Sequence, residues 1–233
     1  MKKITTTIRT SVFSYVKENH TKKREYSVHN TVPLLIKDYP LSPEVDIPSF
    51  ITALEERVPK HLIDNVVEVI YVGNFPSLGD RNAAYADGAI YMTNADPTNR
   101  DFLENTIHET AHAVLAAMDG EMLANLELQG EFLGKRIRLQ SMLDEEGYDF
   151  PAKYYSNLSY SRPFDEFLSD VVGYPLLLSL THNLFVSPYG ATSLEEYFAN
   201  GFENFYLDNI TSVKKISPIL YNLLLQLHSA DLE

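Results

Sequence analysis

"NTIHETAHAV", residues 105–114, lies in a run of good helix formers and is followed by Leu-Ala-Ala, yet it carries two histidines and a glutamate. Ile107, Ala111, Val114, Leu115 and Met118 recur at i, i+4, i+7, i+8 and i+11, the apolar stripe of one half-buried helix, and Gly120 supplies a stop. On that helix His108, Glu109 and His112 spell H-E-x-x-H. Positions i and i+4 stand one turn apart on the same face, so both imidazoles can reach one ion. Glu109 projects beside them, where a water on such an ion would sit. The plainer alternative is a solvent-facing polar stripe made of Asp101, Asn105, His108 and His112. A histidine pair at the edge of a buried face usually has a partner, which favours the metal.

Two histidines do not complete a zinc site, because catalytic zinc takes three protein ligands and leaves one position open. The chain has no cysteine, so the third ligand is His, Asp or Glu. The other histidines, at 20, 29, 61, 182 and 228, show no matching spacing. Two carboxylate-bearing helices compete: "FDEFLSD" with Glu166 and Asp170, and "SLEEYFANGF" with Glu196 and Asn200. In each, a polar residue one turn after the Glu could steady a ligand imidazole. Either Glu also has a structural explanation. Glu196 closes a Ser193-x-x-Glu capping box and could share a solvent stripe with Asn200 and Glu203, while Glu166 could be an exposed helix start after Pro163. Spacing leaves the two level.

Outward from the motif, 233 residues with 45% hydrophobic and 22% charged side chains are those of a globular chain. No apolar run reaches membrane-spanning length; Pro175 to Leu180 is far too short. The start, MKKITTTIRTSVFSYV, lacks the continuous apolar core of an export signal, which leads us to expect a cytoplasmic or assembly-associated protein. A net charge of −13, with only short basic runs such as Lys22-Lys23-Arg24, argues against nucleic-acid phosphates as a partner.

Residues 1–47 suggest an N-terminal appendage: an extended segment with rough alternation from Ile4 to Val16, then a linker at Pro40, Pro43 and Pro48. Within residues 48–233, a helix is expected over Phe50 to Val58, a buried strand over Val66 to Val72, and a turn at Asp87-Gly88 leading into a strand over Ala89 to Thr93. Further helices are expected at 123–143, 165–180, 193–207 and 217–228. Strands lead and helices follow without βαβ alternation, so the class is α+β with a small sheet.

"SPYGATSLEEYFANGFENFYL", residues 187–207, resembles the ligand-bearing segment of the peptidase domain of anthrax lethal factor and the clostridial Pro-Pro endopeptidases. In that family H-E-x-x-H is followed by a Tyr and, seven residues on, by a Glu opening an E-[FY]-F-A-x-x-F helix. Here Tyr189 precedes Glu196 by seven, and Tyr197-Phe198-Ala199 and Phe202 follow. The resemblance covers roughly residues 65 to 225. It implies a zincin-like metallopeptidase domain of the gluzincin type, with one Zn²⁺ per chain held by His108, His112 and Glu196. Glu109 would be the general base, Tyr189 a donor to the oxyanion, and Ala89 to Thr93 the edge strand along which a peptide or protein substrate lies. Three positions depart from the family: Asn200 and Leu115 stand where acidic residues are usual, and Gly201 where Ala or Ser is common. The 84 positions from His112 to Glu196 imply a helical insertion at about 120–186. The expected function is zinc-dependent peptide-bond hydrolysis. The alternative is a non-catalytic structural or interaction protein that keeps the fold within a larger assembly.

Overall fold

The computed structural model describes residues 26–230. They form two compact units, one ending at Ala117 and the other running from Met118 to Ala230. The expected strand from Ile4 to Val16 lies outside the described residues.

The first unit holds a five-stranded mixed sheet: β1 (Tyr26–Val28), β2 (Val32–Ile36), β3 (Val69–Val72), β4 (Ala83–Ala86) and β5 (Ala89–Met92), in the order β1-β2-β3-β5-β4. Both antiparallel hairpins are tight turns with two consecutive left-handed residues, His29-Asn30 at φ 52° and 60° and Asp87-Gly88 at φ 47° and 81°. That geometry matches the natural twist of paired strands. At Gly88 a side chain would also collide with Glu68, 2.9 Å from where its Cβ would stand. β2, β3 and β5 are mutually parallel. The connection from β2 to β3 passes through α1 (Ile47–Arg57) and the short α2 (His61–Asp64), so a βαβ crossover is present where the sequence suggested none.

Alternation along the central strands explains both layers. Ile70, Val72, Ile90 and Met92 share one face, and α3 (Asn99–Ala117) covers it, with Thr106 Oγ1 donating to Met92 Sδ at 2.9 Å. Phe50 of α1 meets Phe102 of α3 edge to face at 5.7 Å. On the opposite face Tyr71 stacks on Tyr91 at 5.3 Å, and Phe75 packs against Tyr91 from the following loop. α3 starts at a reciprocal cap. Thr98 N donates to Asp101 Oδ2 at 3.0 Å, and Asp101 N donates to Thr98 Oγ1 at 3.2 Å. It ends where Asp119 and Gly120 both adopt positive φ.

Two boundaries differ from the sequence expectation. Residues 26–47 are not an appendage, because β1 and β2 pair into the sheet. The proline-rich stretch is also fixed in place: Leu41 N donates to Asn94 O at 2.9 Å, Ser42 Oγ to Pro97 O at 2.6 Å and Asp46 N to Asn99 Oδ1 at 2.8 Å. Pro40 and Pro43 lie outside helix and strand without freeing the chain, while Pro48 sits in the first turn of α1, where a missing N–H costs nothing. The division between units falls at 117/118, not at 47/48.

The second unit is helical: α4 (Leu126–Glu145), α5 (Arg162–Glu166) continuing as a π-helical stretch Phe167–Gly173, α6 (Tyr174–Thr181), α7 (Leu194–Tyr206), α8 (Ile210–Ile216) and α9 (Pro218–Ser229). The single helix expected over 165–180 is broken at Gly173, which sits at φ 83° before Tyr174-Pro175. Residues 120–186 are not a separable insertion either. Phe132 of α4 packs on Tyr197 of α7 at 5.4 Å. Glu131 accepts hydrogen bonds from Tyr197 Oη at 2.8 Å and from the first amides of α9, Ile219 N at 2.8 Å and Leu220 N at 3.1 Å. At Gly201 of α7 a Cβ would come within 2.3 Å of Leu220 Cδ2, so glycine there admits the close approach of α9. Fold class is therefore α+β, with a small mixed sheet in one unit and helices in the other.

Candidate metal centre

In the first unit, His108, Glu109 and His112 lie half-buried on α3, between the fully buried stripe of Ile107, Ala111 and Val114 and the polar face. The two imidazole rings are 5.1 Å apart between centroids, inclined at 66°. Glu109 is fixed from the sheet, because its Oε2 accepts the backbone N–H of Tyr85 in β4 at 2.6 Å. Thr93 N donates to Asn82 O, which makes 82/93, 84/91 and 86/89 the bonded pairs of the hairpin. Ala83 and Tyr85 therefore point their amides away from β5, along the outer edge, and Glu109 meets one of them.

This alters the expected substrate track. β5, the predicted edge strand, is paired on both sides with β3 and β4, so its backbone cannot receive another strand. The edge next to α3 belongs to β4, which the sequence left unassigned beside the Asp87-Gly88 turn.

In the second unit, Glu196 occupies the first turn of α7. Ser193 is the N-cap, its Oγ accepting Glu196 N at 3.1 Å. Tyr189 stands on a short turn, Pro188–Ala191, initiated by Ser187 Oγ accepting Tyr189 N at 3.3 Å. Thr192 Oγ1 donates to Tyr189 O at 2.8 Å and closes that turn onto the α7 cap. Burial first, and then the neighbouring Glu196 carboxylate, raise the Tyr189 hydroxyl above its ordinary value of 10.0, so at neutral pH it is a donor. Asn200 is buried, not part of a solvent stripe, and its Nδ2 donates to the Glu196 carbonyl at 2.8 Å.

One group among the described residues has the donor set and spacing to hold a metal ion. The ligand atoms offered by His108, His112 and Glu196 all lie within 4.8 Å of one another, and the three residues are half-buried. Glu166 is not a member. Its carboxylate pairs with Arg162 Nε at 2.6 Å, its side chain is 51% exposed, and it borders an open groove of about 590 Å³ with Asp170 and Phe167.

Arg136 was missed by the sequence reading. It sits on α4, fully buried, in the run Leu128, Phe132, Lys135, Arg136, Leu139 and Leu143. Two cations inside an otherwise apolar helical stripe are the signal that could have found it, since buried charge is rare without a dedicated partner.

None of the described helices is long and apolar enough to cross a membrane. Comparison with known proteins finds no match to this chain, whether as a family model, a curated protein or a solved structure.

Proposed function

We propose that the chain is a zinc-dependent endopeptidase of the lethal factor and Pro-Pro endopeptidase type, with a zincin-like fold and one Zn²⁺ per chain held by His108, His112 and Glu196. The observation that carries this reading is the spacing of those three ligand atoms, within 4.8 Å. Two imidazoles and one carboxylate are a donor set of catalytic zinc, whereas calcium and magnesium take oxygen donors alone. When bound, zinc would lower the pKa of a water far below its bulk value, to about 7, and polarise a carbonyl.

The chain's own residues supply the rest. Glu109 takes the proton of the attacking water at Oε1, because Oε2 is engaged by Tyr85 N–H. That bond fixes the carboxylate rotamer, so the base need not be ordered during the reaction. Tyr189 donates its hydroxyl proton as a hydrogen bond to the oxyanion of the scissile carbonyl. The outer edge of β4, next to α3 through Tyr85, is the strand on which an extended peptide substrate would pair, through the outward backbone groups that Glu109 does not engage.

Metal analysis together with digestion of a peptide library tests the proposal, with Glu109→Ala as the control. Zinc-dependent cleavage that the control lacks supports the enzyme. Zinc retained with nothing cut favours the alternative, a non-catalytic structural or interaction protein that keeps the metal site.

A further inference from the structure

Tyr189 and Glu196 sit seven residues apart on a turn and a helix start, and short turns do not hold such a separation by themselves. We propose that Arg136 is a positioning residue that fixes the segment bearing them; this rests on the metal-site reading above. Its guanidinium is 0% exposed. Nη1 donates to Ala191 O at 2.8 Å and Thr192 O at 3.2 Å, the two carbonyls between the Tyr189 turn and the Ser193 cap. Nη2 donates to Tyr154 O, tying the same group to the Ala152–Tyr154 turn.

The guanidinium plane is held in turn by rings, with Cζ 4.3 Å from the centroid of Phe164 and 5.1 Å from that of Phe132. A planar fork donates from two separated nitrogens held in one plane by the flanking rings, an arrangement that the single ammonium nitrogen of lysine does not reproduce. Around it Thr192 N and Oγ1 reach Tyr189 O within the segment, and Leu158 O, outside it, accepts Leu194 N at 2.8 Å. Arg136 is the only side chain among the described residues shown to bond both carbonyls. Moving it moves Tyr189 and Glu196 relative to each other.

The test uses the full chain with Arg136→Lys, and with Phe164→Leu as a milder second variant that keeps the arginine and removes the ring over it. Lys135→Met serves as the control, since Lys135 is the neighbouring buried cation but bonds Leu184, Ile216 and Ser217 instead. Amide hydrogen exchange over residues 189–196 should quicken at least about tenfold in Arg136→Lys, the factor that roughly one lost hydrogen bond supplies, should quicken by less in Phe164→Leu, and should not change in the control. Exchange in α9 should stay as in the wild type. Zinc affinity, read by chelator competition, should fall by roughly 10–100-fold in Arg136→Lys, and the visible spectrum of the cobalt-substituted protein should change with it. Unchanged exchange at 189–196 in folded Arg136→Lys or Phe164→Leu overturns the proposal. So does quickened exchange in Arg136→Lys with wild-type zinc affinity. If the wild type itself holds no zinc, the metal reading fails, and the exchange data alone decide whether Arg136 fixes the segment.

Discussion

Tyr85 gives its backbone N–H to Glu109 Oε2 across 2.6 Å, so the outer edge of the sheet and the H-E-x-x-H helix are joined at the residue proposed for proton transfer. An acceptor is needed there whether or not the group is basic, and this separates structure from chemistry. Glu109→Gln keeps a carbonyl oxygen for the Tyr85 amide and loses the base. We expect it to fold and bind zinc as the wild type does and to lose roughly 10²–10⁴-fold in kcat. Parallel metal analysis and steady-state kinetics check this; a fully active Glu109→Gln removes the general base from the scheme.

Tyr189→Phe deletes one hydroxyl beside Glu196 and leaves the Ser187–Thr192 turn intact, because that turn is made by backbone and by Ser187 and Thr192 side chains. The variant should lose on the order of 10²–10³ in kcat with little change in KM or zinc content. A loss confined to KM would make Tyr189 a substrate contact instead of an oxyanion donor.

Gly201→Ala should destabilise the helical unit by about 1–3 kcal/mol, because the added Cβ meets Leu220 Cδ2 at 2.3 Å in a packed interior. The paired change Gly201→Ala with Leu220→Ala should be less destabilising than the sum of the two single changes, since the second removes the clash the first creates. Thermal or urea unfolding of the four proteins gives the coupling; strict additivity would mean that α9 simply shifts away.

Lys135 gives a pH signature. Burial pushes its ammonium down to about 8 from an ordinary 10.5, although Leu184 O and Ile216 O accept from it at 2.6 and 2.7 Å. Between those two values the unfolded chain retains a proton that the folded chain has released, so Lys135 contributes more to stability as the pH rises through this window. Lys135→Met lacks that contribution. The urea stability of the wild type relative to the variant should move in favour of the wild type as the pH climbs from about 8 to about 10.5, and a pH-independent difference would contradict it.

The sequence made α3 and its histidine pair legible because one periodic stripe and one stop at Gly120 agree with each other. The Asp87-Gly88 turn was legible for the same reason, a residue pair that accepts positive φ. His29-Asn30 makes an equivalent turn with less distinctive residues, so the pairing of β1 with β2 has no comparable local signal. Pairing partners are a long-range property, and nothing local in Ala89–Met92 tells a central strand from an edge. Gly173 followed by Tyr174-Pro175 was a visible break that the apolar periodicity of 165–180 masked. Glu196 and Glu166 were indistinguishable by spacing. Their surroundings differ, an exposed pair with Arg162 in one case and a half-buried place near two imidazoles in the other.

The most direct test of the metal centre is zinc titration by isothermal calorimetry on the wild type, Glu196→Ala and Glu166→Ala. The wild type and Glu166→Ala should each take up one zinc ion per chain with matching affinity, while Glu196→Ala loses high-affinity binding although its melting curve shows a folded protein. Wild-type binding by Glu196→Ala, or its loss in Glu166→Ala, would contradict the assignment of His108, His112 and Glu196 as the ligands.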